Sequence, residues 1–346
     1  MKTAALLFVA LALLACSVSS PLGPSWQRYI SRLENVLDRN ATAPQPQDFL
    51  HYPKQRDLVV AFSSPSINLL DFLQLRKCKL GETIAQRNSI LGKHSDAAGR
   101  LIFDLQFLAQ LEDCLKTLDQ DNDTELRQSL KKAGAIKQQE LPARIFAASL
   151  AGPEFRELWA KPNRAQTYPI DGADPAIKPL KQWLRWQKNW LAGEWQINPN
   201  AVLMTLGEIR KGLAGDLLNA QRLNLAGLIS ATALIDSRLG NRPLCLVGSS
   251  PPAASHFRNV LSKFFIADIQ KTASRINRHQ QQLLPVIHDI ETTLFEVMAS
   301  ADIKLPEQYR QWQSNRQQLF ELLIQAHRDH VNAAGALLHQ CGMTPG

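Results

Sequence analysis

The sequence lacks the short motifs that would declare a common active site. It has no glycine-rich phosphate loop, no Gly-x-Ser-x-Gly nucleophile elbow and no His-Glu-x-x-His pair. Chemistry built on those motifs is therefore excluded. Cysteine is scarce, with five in 346 residues, and none stands in a Cys-x-x-Cys pair, so a zinc site of the usual spacing is excluded too. Strand patterning is almost missing, and Leu58 to Phe62 is the one short strand expected. There is no internal repeat. The apolar runs are short for a bilayer span: Ala4 to Leu14 covers 11 residues, and 13 lie between Arg222 and Asp236.

What is present begins at the N-terminus. Lys2 precedes the first apolar run, which ends at Leu13-Leu14-Ala15-Cys16: an aliphatic residue, a spacer, a small residue, then cysteine. This resembles the lipobox of bacterial lipoproteins. The resemblance implies a signal peptide over residues 1–15, cleavage before Cys16, a diacylglycerol thioether on its thiol and acylation of the freed amine. Two or more chains hold a protein stably on a membrane where one does so marginally. Ser17 follows in place of Asp, which by the lipoprotein sorting rule implies the periplasmic face of the outer membrane. Residues 16–25, with Pro21, Gly23 and Pro24, are expected as a lipidated tether. Residues 26–346 are expected as a single α-helical domain with a possible internal boundary at the proline-rich stretch 153–179. The alternative is an ordinary signal peptide cut near Ala15 or at Ser19 and Ser20, leaving a soluble protein.

Export changes how the other cysteines read. Cys78, Cys114, Cys245 and Cys341 are an even number in an oxidising compartment, which favours disulfides. Three connectivities are open; Cys78–Cys114 with Cys245–Cys341 is favoured because each pair lies within one half of the chain. Losing Lys2 leaves 38 Lys and Arg against 31 Asp and Glu. That balance attracts anionic lipid and wall polymer weakly, or serves solubility alone. The membrane is the expected partner through the N-terminal lipid, with an envelope protein or wall polymer as a further one. Neither a nucleic acid nor a cofactor or metal is expected.

The rest of the pattern is helical. Ser25 reads as an N-cap before a stripe of Trp26, Ile30, Leu33 and Leu37. Ile67 to Cys78 and Lys79 to Leu91 read as helices, the second stopped by Gly92. Leu101, Leu105, Leu108 and Cys114 share a face. In Leu180 to Trp195, Leu180, Trp183, Leu184, Trp190 and Leu191 form an apolar face opposite Lys178, Lys181, Arg185 and Lys188. Leu213 to Leu239 is apolar nearly all round and is expected at the centre. Phe257 to Met298, containing Pro285, and the helix after Pro306 are expected to pair like a coiled coil. The fold class is all-α: a multi-helix bundle with a long C-terminal antiparallel helical hairpin.

Three groups of residues are candidates for a site. Arg87, Asn88 and Ser89 serve either as a helix end or, with Asp71, as a polar pocket floor beside Cys78. His327 and His330, with Asp329 and His279 across the turn, are seam residues, a proton relay or a metal site. Trp186 sits at the edge of its helix's apolar face and would suit a membrane interface or sugar polymer.

One stretch carries a wider resemblance. Ile67-Asn68-Leu69-Leu70-Asp71-Phe72-Leu73, then Cys78 and Leu80, Arg87-Asn88-Ser89 and Leu91-Gly92-Lys93, with the runs Tyr29 to Leu37 and Pro53 to Leu58, resemble a proteobacterial lipoprotein family catalogued only as a domain of unknown function. The resemblance implies an envelope lipoprotein and supplies no activity or catalytic residue. The expected role is binding or scaffolding in the envelope. The alternatives are an enzyme acting on wall polymer or lipid, and a carrier or chaperone with an apolar groove.

Overall fold

The computed structural model describes residues 19–41, 48–62, 75, 78–120, 124–163, 166–241, 243–246 and 251–344. Cys16, Asp71 and nearly all of the helix expected from Ile67 to Cys78 lie outside them. The described chain is an all-α multi-helix bundle. Its helices are α1 (Leu22–Leu37), α2 (Lys79–Asn88), α3 (Ala97–Gln120), α4 (Thr124–Ala148), α5 (Pro153–Leu158), α6 (Asp174–Leu191) and α7 (Pro199–Arg210). Then follow α8 (Ala214–Asn241), α9 (Pro252–Val260), a π-helical segment (Leu261–Gln270), α10 (Lys271–Ser300) and α11 (Glu307–Gln340). No helix among the described residues is long and apolar enough to cross a membrane.

Extended pairing among the described residues is limited to β1 (Ser19–Ser20) and β2 (Tyr168–Pro169), antiparallel, with Ser19 opposite Pro169. Helix α1 begins at Leu22 after Pro21, not after Ser25. Leu22, Gly23 and Ser25 are buried, so this part of the expected tether belongs to the body. The strand expected at Leu58 to Phe62 does not form. A short 3-10 turn at Gln55–Asp57 leads to Leu58, which is buried in the core where no strand among the described residues pairs with it.

Helix α8 lies at the centre, against α1 and α11. Five polar or charged side chains are buried on it: Asn219, Gln221, Asn224, Ser230 and Arg238. Asn224 accepts a hydrogen bond from Trp26 Nε1 at 3.0 Å, and its own amide donates to Gln221 Oε1, so these three side chains bond in series across α1 and α8. The expected boundary at 153–179 is no seam. Phe155, Leu158, Trp159, Tyr168 and Ala176 all sit in the main core, so the prolines there shape a packed connection. A separate apolar cluster lies elsewhere, where Leu80, Ile84, Phe107, Leu118 and Leu130 join α2, α3 and α4. Cys78–Cys114 closes that cluster, and Cys245–Cys341 ties the chain after α8 to the end of α11; this is the connectivity favoured above.

Helices α10 and α11 are joined by a short turn and meet close to it. There Glu291, fully buried, accepts hydrogen bonds from Tyr309 Oη at 2.7 Å, Gln313 Nε2 at 2.8 Å and Arg316 at 2.7 Å. Arg316 also lies 4.7 Å from the Trp312 ring and 5.4 Å from that of Trp159. Farther along, α11 packs chiefly on α8 and α10 on α6. Coiled-coil-like pairing along the whole hairpin is therefore replaced by packing on two different partners.

Candidate ligand-binding cleft

Arg87, Asn88 and Ser89 do not form a pocket floor together. Asn88 and Ser89 are exposed. Ser89 interrupts the expected helix: its hydroxyl donates to Gln86 O and accepts from Gly92 N at 3.1 Å, capping a four-residue turn at Ile90–Lys93. The hollow beside Cys78 is lined instead by Lys79, Gln110, Asp113, Thr117 and Trp195. Arg87 is half-buried and its charge reaches a buried ion cluster. In that cluster Asp104 contacts Lys137 and lies 3.0 Å from Arg144 Nε. Burial holds Lys137 below the ordinary lysine range, and Asp104 opposes that shift. Sequence reasoning missed this group. Its signal was Asp104 standing on the same helical face as Leu101, Leu105 and Leu108.

The histidines are separated by their partners. His330 is fully buried, with Nε2 3.0 Å from Tyr29 Oη and Nδ1 3.3 Å from Thr232 Oγ1. Burial, with a smaller contribution from His327, pushes its pKa down to about 4, so it stays neutral. His279 instead bonds Tyr168 Oη through Nδ1 at 2.7 Å and faces Asp174 Oδ2 at 3.5 Å through Nε2. Tyr168 is wholly buried and its phenol is pushed well up by desolvation, so the chain Tyr168–His279–Asp174 fastens β2 to α10. Among the described residues no three His, Cys, Asp or Glu side chains gather as a metal set.

An open cleft of about 1310 Å³ lies between α6, α7 and α10. One wall is the face of α6 opposite its buried tryptophans. Trp183 and Trp190 are in the core, and Trp186 is half-buried and stacked on Trp190 at 6.2 Å. With those rings inward, Lys178, Lys181 and Arg185 turn into the cleft, one helical turn apart or nearly so. Among the described residues neither lysine has a carboxylate partner, and Arg185 bonds only the Gln182 amide at 2.9 Å. Gln281, Gln282 and Asp289 of α10 face them, with Met204, Thr205 and Glu208 of α7. Pro179 and Pro285 also line the cleft inside their helices. Each lacks an N–H, so the carbonyls of Pro175 and Gln281, four residues before, lose their usual helical donors.

The described chain is thus an all-α bundle with an open cleft between α6, α7 and α10. The chain belongs to the family described as "Protein of unknown function (DUF3080)", whose model matches residues 26–345. No curated protein and no solved structure matches it.

Proposed function

We propose that the protein is a lipoprotein of the proteobacterial envelope, anchored through Cys16 at the periplasmic face of the outer membrane, that binds wall polymer in the cleft. The leader ending in Leu13-Leu14-Ala15-Cys16 supports the anchor, and two disulfides suit an oxidising compartment.

The observation that carries the binding reading is the stripe Lys178, Lys181, Arg185 on one wall of an open cleft, without carboxylate partners among the described residues. Small-molecule pockets run to roughly 1,000 Å³ and enclose their ligand. This cleft is larger, at about 1310 Å³, and suits an extended chain. Carboxylates of a wall polymer would meet the three cations. Its hydroxyls and amides would meet Gln182, Gln281 and Gln282, whose side chains each both donate and accept.

The test is cosedimentation of the detergent-solubilised full-length protein with purified wall sacculi. Wild type is expected to sediment, and the triple variant Lys178→Gln, Lys181→Gln, Arg185→Gln to lose at least tenfold in affinity. Unchanged sedimentation of the triple variant would rule the cleft out. Soluble fragments released from the sacculi would favour the enzyme reading instead.

A further inference from the structure

The first described residues are built into the body. Ser19 and Ser20 pair with Pro169 and Tyr168, and Gly23 N donates to Gln166 O at 2.9 Å. Tyr168 is in turn held by His279. Cys16 precedes Ser19 by three residues, so its Cα lies within about 11 Å of that of Ser19. Whatever holds Cys16 is therefore held close to β2.

We propose that the face around β2 rests on an anionic bilayer, with Lys161, Arg210 and Lys211 against lipid phosphates and Ile170 entering the headgroup layer. This rests on the reading that Cys16 carries the lipid. The three cations line a shallow hollow of about 480 Å³ that Pro169 also borders. Lys161 and Arg210 are exposed and have no carboxylate partner among the described residues. Lys211 meets Glu208 at 2.7 Å in an exposed pair, which a lipid phosphate can replace at little cost. Ile170, beside β2, is 45% exposed. Glu157 and Asp216 share the hollow. Burial raises Asp216 to about 6, and a negatively charged surface raises it further, so this carboxyl is easily neutralised there.

The geometry fixes what stands away from the membrane. Helix α8 starts at Ala214, three residues past Lys211, and its 28 residues run about 42 Å. Leu246, exposed beyond its far end, serves as the distant reference. The cleft opens low on the body, because Asp174 and Glu208 on its rim lie within four residues of Ile170 and Lys211.

The experiment places the acylated full-length protein in vesicles containing nitroxide lipids, neutral or with anionic lipid added. A fluorophore is attached through Ile170→Cys, Lys211→Cys or Leu246→Cys. Strong quenching on anionic vesicles is expected at the first two positions and none at the third. Neutralising Lys161, Arg210 and Lys211 to Gln should weaken binding of the unacylated Cys16→Ser protein to anionic vesicles about fivefold per cation. Sedimentation with vesicles but quenching at Leu246, or at no position, overturns the orientation while leaving the anchor intact. Equal quenching on neutral vesicles, or Gln variants that bind as wild type, overturns the role of the cations. Wild-type protein that fails to sediment with vesicles overturns the anchor and the proposal together.

Discussion

Replacing Arg316 by methionine should be among the most damaging single changes in the protein. Its guanidinium is the only cation bonded to Glu291 among the described residues, at 2.7 Å, and Glu291 is fully buried. Removing it leaves a buried carboxylate with two neutral donors, Tyr309 and Gln313, and no counter-charge among the described residues. Breaking a buried pair from one side costs about 3–5 kcal/mol. Loss of the contacts with the Trp312 and Trp159 rings adds about 1 kcal/mol, part of which methionine recovers by packing. A total near 4 kcal/mol is a large share of the roughly 5–15 kcal/mol that holds a protein folded. Glu291→Gln alone strands the arginine and should cost about 3 kcal/mol. The double variant Glu291→Gln, Arg316→Met removes both charges and should return to within about 2 kcal/mol of wild type, revealing a coupling of about 5 kcal/mol. Urea unfolding with the disulfides intact, followed by tryptophan fluorescence and circular dichroism, measures all three. An Arg316→Met cost below about 1 kcal/mol, or a double variant whose cost is simply the sum of the singles, would refute the reasoning.

The other predictions are independent of that network. Replacing Cys245 and Cys341 by serine opens a loop of 96 residues and should cost up to about 4.7 kcal/mol, against about 3.8 kcal/mol for the 36-residue loop of Cys78 and Cys114, measured by thermal melts of each serine pair. His330 has a folded pKa of about 4 against an ordinary 6.5, so the unfolded chain binds the extra proton between those values. Its contribution is full above pH 6.5 and is lost as pH falls toward 4, up to about 3 kcal/mol; His330→Gln should flatten the stability profile across that window. A Cβ at Gly215 would collide with the backbone carbonyl of Ala160, so Gly215→Ala should cost about 1–3 kcal/mol by calorimetry. Gly335→Ala, where a Cβ meets nothing, should instead stabilise by about 0.5–1 kcal/mol.

Much of the helical framework was legible because its signals are local. The Leu180, Trp183 and Trp190 stripe put the tryptophans inside and the lysines outside, and the length and apolar content of Leu213 to Leu239 put α8 at the centre. The disulfide pairing followed from chain proximity. The cleft was not legible. Its walls lie about 100 residues apart, and nothing in the α6 pattern says that Gln281 and Asp289 stand opposite Lys181. Proline misled the reading of 153–179, since proline reports backbone shape and not burial, and Phe155 and Trp159 were the truer signal. Asn88 and Ser89 were ambiguous between cap and pocket because both uses rest on the same short polar side chains, and the next turn decided it. The coiled-coil packing of the hairpin was over-read because an apolar stripe identifies a buried face without naming its partner.

The two disulfides have a consequence through what they leave untied. The 245–341 ring encloses α10, one wall of the cleft, while α6 and α7 lie outside it, and the 78–114 ring contains neither wall. Neither bridge crosses the cleft. Its walls are joined by packing and by contacts such as the Gln187 amide donating to Ile290 O at 2.9 Å, well behind the cationic stripe. The spacing of the two walls is thus set by non-covalent contacts alone, and reduction of either bridge would leave the direct connection between them as it is.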